Sequence, residues 1–189
     1  MTQTIIPRPI AWVLTKNIDS TNYNLAPFSY FTAVASAPPL IMLSIAPKDK
    51  TTAKDTLVNL RNNKGFVIHI ADTDALHSVE KSATPLPYGE SEVSACDLQL
   101  TTFKGTSLQR IKGVPVAFAC RLYDTHEIGR DQIQRQTLVF AEITHLYIND
   151  RAVKQENERI YISAEMINPL SRLGSGQYAY ISNLDLKKL

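Results

Sequence analysis

Glycine is scarce in this chain: seven residues among 189, about half the usual share. No Gly-x-x-x-x-Gly-Lys-Ser/Thr loop is present, so a phosphate cradle of that type is excluded. Gly174-Ser175-Gly176-Gln177-Tyr178-Ala179 matches a dinucleotide fingerprint letter for letter. That loop needs a strand before it and a helix after it, whereas here it follows a stretch interrupted by Pro169. The match is a coincidence. Cysteine is equally sparse. Cys96 and Cys120 carry no metal-ligand spacing; they could pair, but read as two buried thiols in a reducing compartment. Neither sign of charge dominates, with 20 Lys+Arg against 18 Asp+Glu and a net charge of +2. So even a balance leaves no footprint for nucleic acid or an anionic membrane. Long apolar runs are missing too, residues 38–46 being far too short to cross a bilayer. No basic segment followed by an apolar one opens the sequence, which sets the expectation of a cytoplasmic protein without membrane or nucleic-acid partners.

What is present is a β-rich pattern spread through a chain that is 44% hydrophobic. Its length suits a single domain over residues 1–189. Residues 10–15, 28–36, 40–46, 65–71, 98–103, 116–123 and 137–148 carry β-branched and aromatic residues or period-two alternation. Six or seven strands joined by short turns suggest a sandwich or barrel. The spacing predicts one good helix over 52–62, with Ala53, Leu57 and Leu60 on one face and Thr52 and Asp55 arranged like a capping box. A short helix capped by Asp72 or Asp74 and another near 164–173, cut by Pro169, complete the pattern.

The chemistry-bearing stretch is Lys48-Asp49-Lys50-Thr51-Thr52-Ala53-Lys54-Asp55-Thr56, which leaves a strand and opens the best helix. A helix N-terminus presents unpaired N–H groups and roughly half a positive charge, so lysines and threonines gathered there suit an anion without any glycine. A solvated loop with an ordinary cap is the alternative. Asp74, His77 and Glu80 share one helical face, but no His-x-x-x-His pair accompanies them, and metal catalysis is disfavoured. His69 lies in an apolar strand and reads as a satisfied core residue. No Gly-x-Ser-x-Gly occurs and neither cysteine has an activating neighbour, so no catalytic side chain is named.

Several motifs, in order, carry a resemblance: Pro7-Arg8-Pro9-Ile10-Ala11-Trp12-Val13, Asn24-Leu25-Ala26-Pro27-Phe28-Ser29-Tyr30-Phe31, Pro38-Pro39-Leu40-Ile41-Met42 and Lys54-Asp55-Thr56-Leu57. Residues 115–122, Thr137-Leu138-Val139 and Pro169-Leu170-Ser171-Arg172-Leu173-Gly174 extend it over nearly the whole chain. The sequence resembles the flavin reductase-like family. The resemblance implies a mainly β fold, an FMN-binding split β-barrel of Greek-key type with a few short peripheral helices. It also implies FMN at a homodimer interface. Asn24, Ser29, Tyr30 and Phe31 would run along the flavin and its ribityl chain, while Ser44, Lys54 and Thr56 would hold the phosphate. Trp12, Arg172 and Tyr178 would lie near the ring or the partner's edge.

The activity so implied is transfer of electrons from NAD(P)H through bound FMN to a small-molecule or protein acceptor. The ring supplies that chemistry and the protein positions it, which is consistent with the absence of an evident acid or base. Two alternatives stay open at this level: a flavin-binding electron carrier without NAD(P)H activity, and a flavin-free binding module on the same barrel.

Overall fold

The computed structural model describes residues 1–18, 20–50, 52–129 and 135–183. In chain order the elements are β1 (Arg8–Pro9), β2 (Ala11–Lys16), β3 (Tyr23–Phe28), β4 (Phe31–Ser36), β5 (Pro39–Ile45), α1 (Asp55–Asn63) and β6 (Gly65–Ile70). Then come α2 (Leu76–Lys81), α3 (Glu92–Ala95), β7 (Leu100–Thr102), β8 (Gln109–Ile111), β9 (Val116–Ile128) and β10 (Gln136–Ile148). The last are β11 (Val153–Glu156), β12 (Arg159–Ile162), α4 (Ala164–Ile167), β13 (Ser171–Gly174) and β14 (Gln177–Ala179). Seven strands form one antiparallel sheet in the order β3-β2-β6-β9-β10-β5-β4, flanked by a three-stranded sheet β1-β13-β14 and two small hairpins.

This order forces closure. β3 and β4 are the two edges of the large sheet, yet only Ser29 and Tyr30 separate them in the chain. A two-residue link cannot bridge the width of a flat seven-stranded sheet, whose strands lie about 4.8 Å apart. The sheet therefore curls until its first and last strands meet. The Ser44 N–H donates to the Tyr30 carbonyl at 2.9 Å and ties β5 to that link.

Two cores follow. Ala11, Val13, Phe28, Leu43, Phe66 and Val139, from strands all round the sheet, fill the barrel interior with Leu57 and Leu60 of α1. Trp12, Leu14, Val67 and Ala117 point the other way, under Val79 of α2, Val93 of α3 and Ile111 of β8. Buried on both faces, β2 reads as an unbroken apolar run instead of an alternating one.

The structure corrects the sequence expectations at three places. The expected strand 28–36 is broken at Ser29 and Tyr30, and the preceding residues 23–28 form β3, paired with β2 in the register Trp12↔Pro27. Pro27 hid this strand, and an edge strand tolerates it because one side needs no ladder hydrogen bond. The expected helix 52–62 begins at Asp55, with Lys54 at the N-cap and no side-chain cap. Thr52 instead closes a tight loop, its N–H donating to Asp49 Oδ1 at 2.9 Å and its carbonyl accepting from the Lys48 N–H at 2.8 Å. The left-handed residue at the end of α1 is Lys64, at φ 56°, and Gly65 already opens β6. The short helical segment after Asp72 forms as expected, with the Asp72 carboxylate accepting from the Ala75 N–H. No helix among the described residues is long and apolar enough to cross a membrane.

Candidate functional site

The N-terminus of α1 opens into a polar cavity of about 90 Å³ whose walls include Asn24, Lys48, Lys54, Asp55, Thr56 and Glu92. With Lys54 extended at φ −65° and ψ 145° and lacking a side-chain cap, the Asp55 and Thr56 N–H groups of α1 stay open to a ligand, while the Leu57 N–H donates to the Lys54 carbonyl at 2.9 Å. The Lys54 ammonium has no ion pair or hydrogen bond among the described residues. Lys48 is already engaged, donating to the Leu86 carbonyl at 2.8 Å and lying 3.7 Å from the Asp55 carboxylate.

Beneath this cavity sits a buried polar network. The Asn24 amide donates to Thr56 Oγ1 at 2.9 Å and to Thr15 Oγ1 at 3.3 Å, while Asn59 donates to Thr15 Oγ1 at 3.0 Å and Asn17 Oδ1 at 2.8 Å. These bonds fasten α1 to β2 and β3, so the helix N-terminus is held at a fixed height over the barrel end. Glu92, 6% exposed, accepts from the Leu25 N–H at 2.9 Å, and burial raises its carboxyl above the usual range.

A second cavity of about 420 Å³ lies at the other end of β3, against the link Ser29–Tyr30. Arg8, Ser29, Tyr30, Phe31, Met42 and Ser44 contribute to its lining, which is mostly apolar. Ser44 Oγ donates to Gln136 Oε1 at 3.3 Å. Arg8 donates from Nε to Ser29 Oγ at 3.3 Å, and its guanidinium lies 5.9 Å from the centre of the Tyr30 ring.

The residues expected from the sequence thus fall into two groups. Asn24, Lys54 and Thr56 meet at the α1 cavity, and Ser29, Tyr30, Phe31 and Ser44 meet at the link cavity. Ser44 is therefore placed apart from Lys54 and Thr56, the residues with which the resemblance grouped it. Thr51 lies outside the described residues. Trp12 lines neither cavity: it is fully buried, its indole N–H donating to Ser82 Oγ at 2.9 Å. Arg172 stacks on Tyr178 at 4.3 Å and, although paired with Arg8 across β1 and β13, lines neither cavity.

Sequence reasoning missed Arg8 and Glu92. Arg8 stood inside a motif without a side-chain role, and Glu92 opens a helix of four residues that leaves almost no periodic signal. His69 is the satisfied core residue expected, its Nδ1–H donating to the Trp12 carbonyl at 3.1 Å while Nε2 accepts from the Ile111 N–H at 2.9 Å. Burial lowers its pKa to about 4. Among the described residues no group of His, Cys, Asp or Glu could hold a metal ion, and both cysteines are free.

Comparison with known proteins identifies the fold and the family. The model of the flavin reductase like domain matches residues 2–167. Component B of nitrilotriacetate monooxygenase from Bacillus cereus is 30% identical, with a TM-score of 0.87 over 97% of this chain and 89% of that one. The 2-nitrobenzoate 2-nitroreductase NbaA of Pseudomonas fluorescens is 26% identical, with a TM-score of 0.83 over 98% and 86% of the two chains. A split barrel domain protein from Shewanella frigidimarina shares only 17% of its residues but superposes with a TM-score of 0.83 over 97% and 87%. The barrel described above is thus a split barrel, and the chain belongs to the flavin reductase-like family.

Proposed function

We propose that this protein is a homodimeric, FMN-binding oxidoreductase that passes electrons from NAD(P)H to an acceptor in the cytoplasm. The observation that carries the reading is the pair of cavities joined by β3. From Asn24 to Ser29 is five steps of extended chain, about 17 Å at ~3.4 Å per residue. That span suits a phosphate, a five-carbon chain and a three-ring system laid end to end. The small polar cavity fits the phosphate and the larger apolar one fits the ring.

The residues present fit such a group. Lys54 and the open N–H groups of α1 neutralise and hydrogen-bond an anion. Thr56, fixed by Asn24, sets its depth. Phe31 and Met42 offer apolar surface for a ring, and Ser29 offers a hydroxyl and an amide at its edge, with the Ser44 hydroxyl oxygen beside it. When bound, FMN supplies hydride acceptance from a nicotinamide and electron release to an acceptor. The link cavity holds no carboxylate or histidine among its described lining residues, so the protein's part is binding, orientation and exclusion of water.

The dimer rests on β4. This edge strand has the sequence Phe-Thr-Ala-Val-Ala-Ser and is exposed from Thr32 to its end, with Val34 48% accessible. Bare apolar edges are normally covered. Phe31 and Thr32 also line the link cavity, so a partner seated there would wall its open side. The test is an anaerobic visible spectrum with FMN and then NADH or NADPH. A bound flavin band that bleaches supports the reading, and no flavin binding at excess FMN contradicts it.

A further inference from the structure

The link cavity contains a buried positive charge without a counter-charge. Arg8 is 7% exposed, and none of the ion pairs among the described residues includes it. All its acceptors are neutral: Ser29 Oγ at Nε, and the carbonyls of Thr2 and Ile5 at Nη1. Nη2 has no acceptor among the described residues. No fully buried side-chain nitrogen among the described residues goes without a partner, so Nη2 belongs to the accessible part of Arg8, a residue that lines the cavity.

Burying a guanidinium is costly unless an anion or a full set of acceptors compensates it. Here one nitrogen faces a space of about 420 Å³. Most of the remaining wall is apolar or aromatic, from Ile5, Pro7, Tyr30, Phe31 and Met42, with the hydroxyls of Ser29, Thr32 and Ser44 beside them. A guanidinium N–H makes a charge-assisted hydrogen bond to a carboxylate, which Nη2 is free to donate here, and a flat ring is a body such walls favour.

We infer that the link cavity binds a small aromatic carboxylate, its anionic group on Arg8 and its ring against Tyr30. This rests on the flavin reading for the ligand's role alone: the anion lies beside a bound flavin and is the class of second ligand the flavin faces. Segment 1–6 covers the site. Its carbonyls hold Nη1, and Gln3 Nε2 donates to Ser175 Oγ at 2.6 Å, fastening the segment to the β13–β14 turn.

The probe is benzoate, with benzamide as its neutral isostere, titrated by calorimetry into the flavin-free and the FMN-loaded protein. Benzoate is expected to bind at least tenfold more tightly than benzamide in both. Arg8→Gln should erase the preference and Arg8→Lys should retain part of it. Because Arg8 also holds the link, Ile5→Trp provides an independent variant: Ile5 is 62% exposed, so a larger side chain narrows the cavity without disturbing the core. It should weaken benzoate at least tenfold. Equal binding of the two probes, or a preference that survives Arg8→Gln, overturns the assignment, as does displacement of benzoate by FMN. A protein that prefers benzoate but never binds FMN retains the anion site and loses the proposed function instead.

Discussion

Lys54 is the half-buried cation left without a partner at the mouth of the α1 cavity, while its neighbour Lys48 is already engaged with Asp55 and Leu86. Lys54→Ala should therefore weaken FMN by about 1.5–3 kcal/mol, the range of a charge-assisted contact, and Lys48→Ala by much less. Equilibrium titration of the flavin band with both variants checks the order. His69 gives a different residue-scale prediction. Its folded pKa of about 4 lies below the ordinary 6.5 because the ring is wholly buried and Nε2 already accepts from Ile111. The stability it contributes is complete above pH 6.5 and is lost as pH falls towards 4, about 3 kcal/mol across that window. Glu92, raised by burial, acts in the opposite sense, so the comparison is between the protein and His69→Gln. Urea midpoints of the two should converge as pH drops from 7 to 4.5. Parallel pH curves would exclude His69 as the cause. At this scale His69 was legible as a core residue, because a lone histidine in an apolar strand has few alternatives, and Lys54 was legible as a lysine at the start of the best helix, its phosphate contact being the proposal. Arg8 stayed hidden, since its role depends on a link 21 residues away.

At the scale of elements, the position of α1 decides whether the cavity proposed for the phosphate exists. Asn59 is its anchor, completely buried and bonded to both Thr15 and Asn17. Asn59→Ala leaves Asn17 Oδ1 without its donor, and Thr15 Oγ1 with only the Asn24 bond at 3.3 Å, and should cost about 1–3 kcal/mol. It should also loosen FMN, because the N-terminus of α1 loses its fixed height. A melting temperature that falls with FMN affinity unchanged would separate the helix anchor from the site. Gly174 is the second element-scale test. At φ +96° it packs so closely on segment 1–6 that a Cβ would lie 2.7 Å from the Thr2 carbonyl. Gly174→Ala should free that segment and destabilise the protein by about 1 kcal/mol or more, seen as a lower melting temperature. Element boundaries were the part least legible in the sequence. β3 was obscured by Asn24 and Pro27, which only its edge position permits. The start of α1 was misplaced because Thr52, a good cap by type, is held by Asp49 in a loop of its own.

For the whole molecule, the apolar run of β2 and the two long strands β9 and β10 made a β-rich barrel readable, but closure was not. It follows from the pairing order, in which chain neighbours β3 and β4 end up on opposite edges. The same order leaves β4 bare, so the account requires a dimer. Val34→Lys should convert it to a monomer in light scattering and weaken FMN at least tenfold, since the open side of the link cavity loses its wall. A monomer that binds FMN as tightly as the native protein would separate the edge from the site. The central claim is that β3 joins a phosphate cavity to a ring cavity in an enzyme fed by a nicotinamide. Its most direct test is the visible spectrum of the purified protein, taken anaerobically with FMN and then with NADH or NADPH. The account predicts a bound flavin band that bleaches on addition of the nicotinamide. A band that survives both nicotinamides would contradict the oxidoreductase reading, and no band at excess FMN would contradict the site itself.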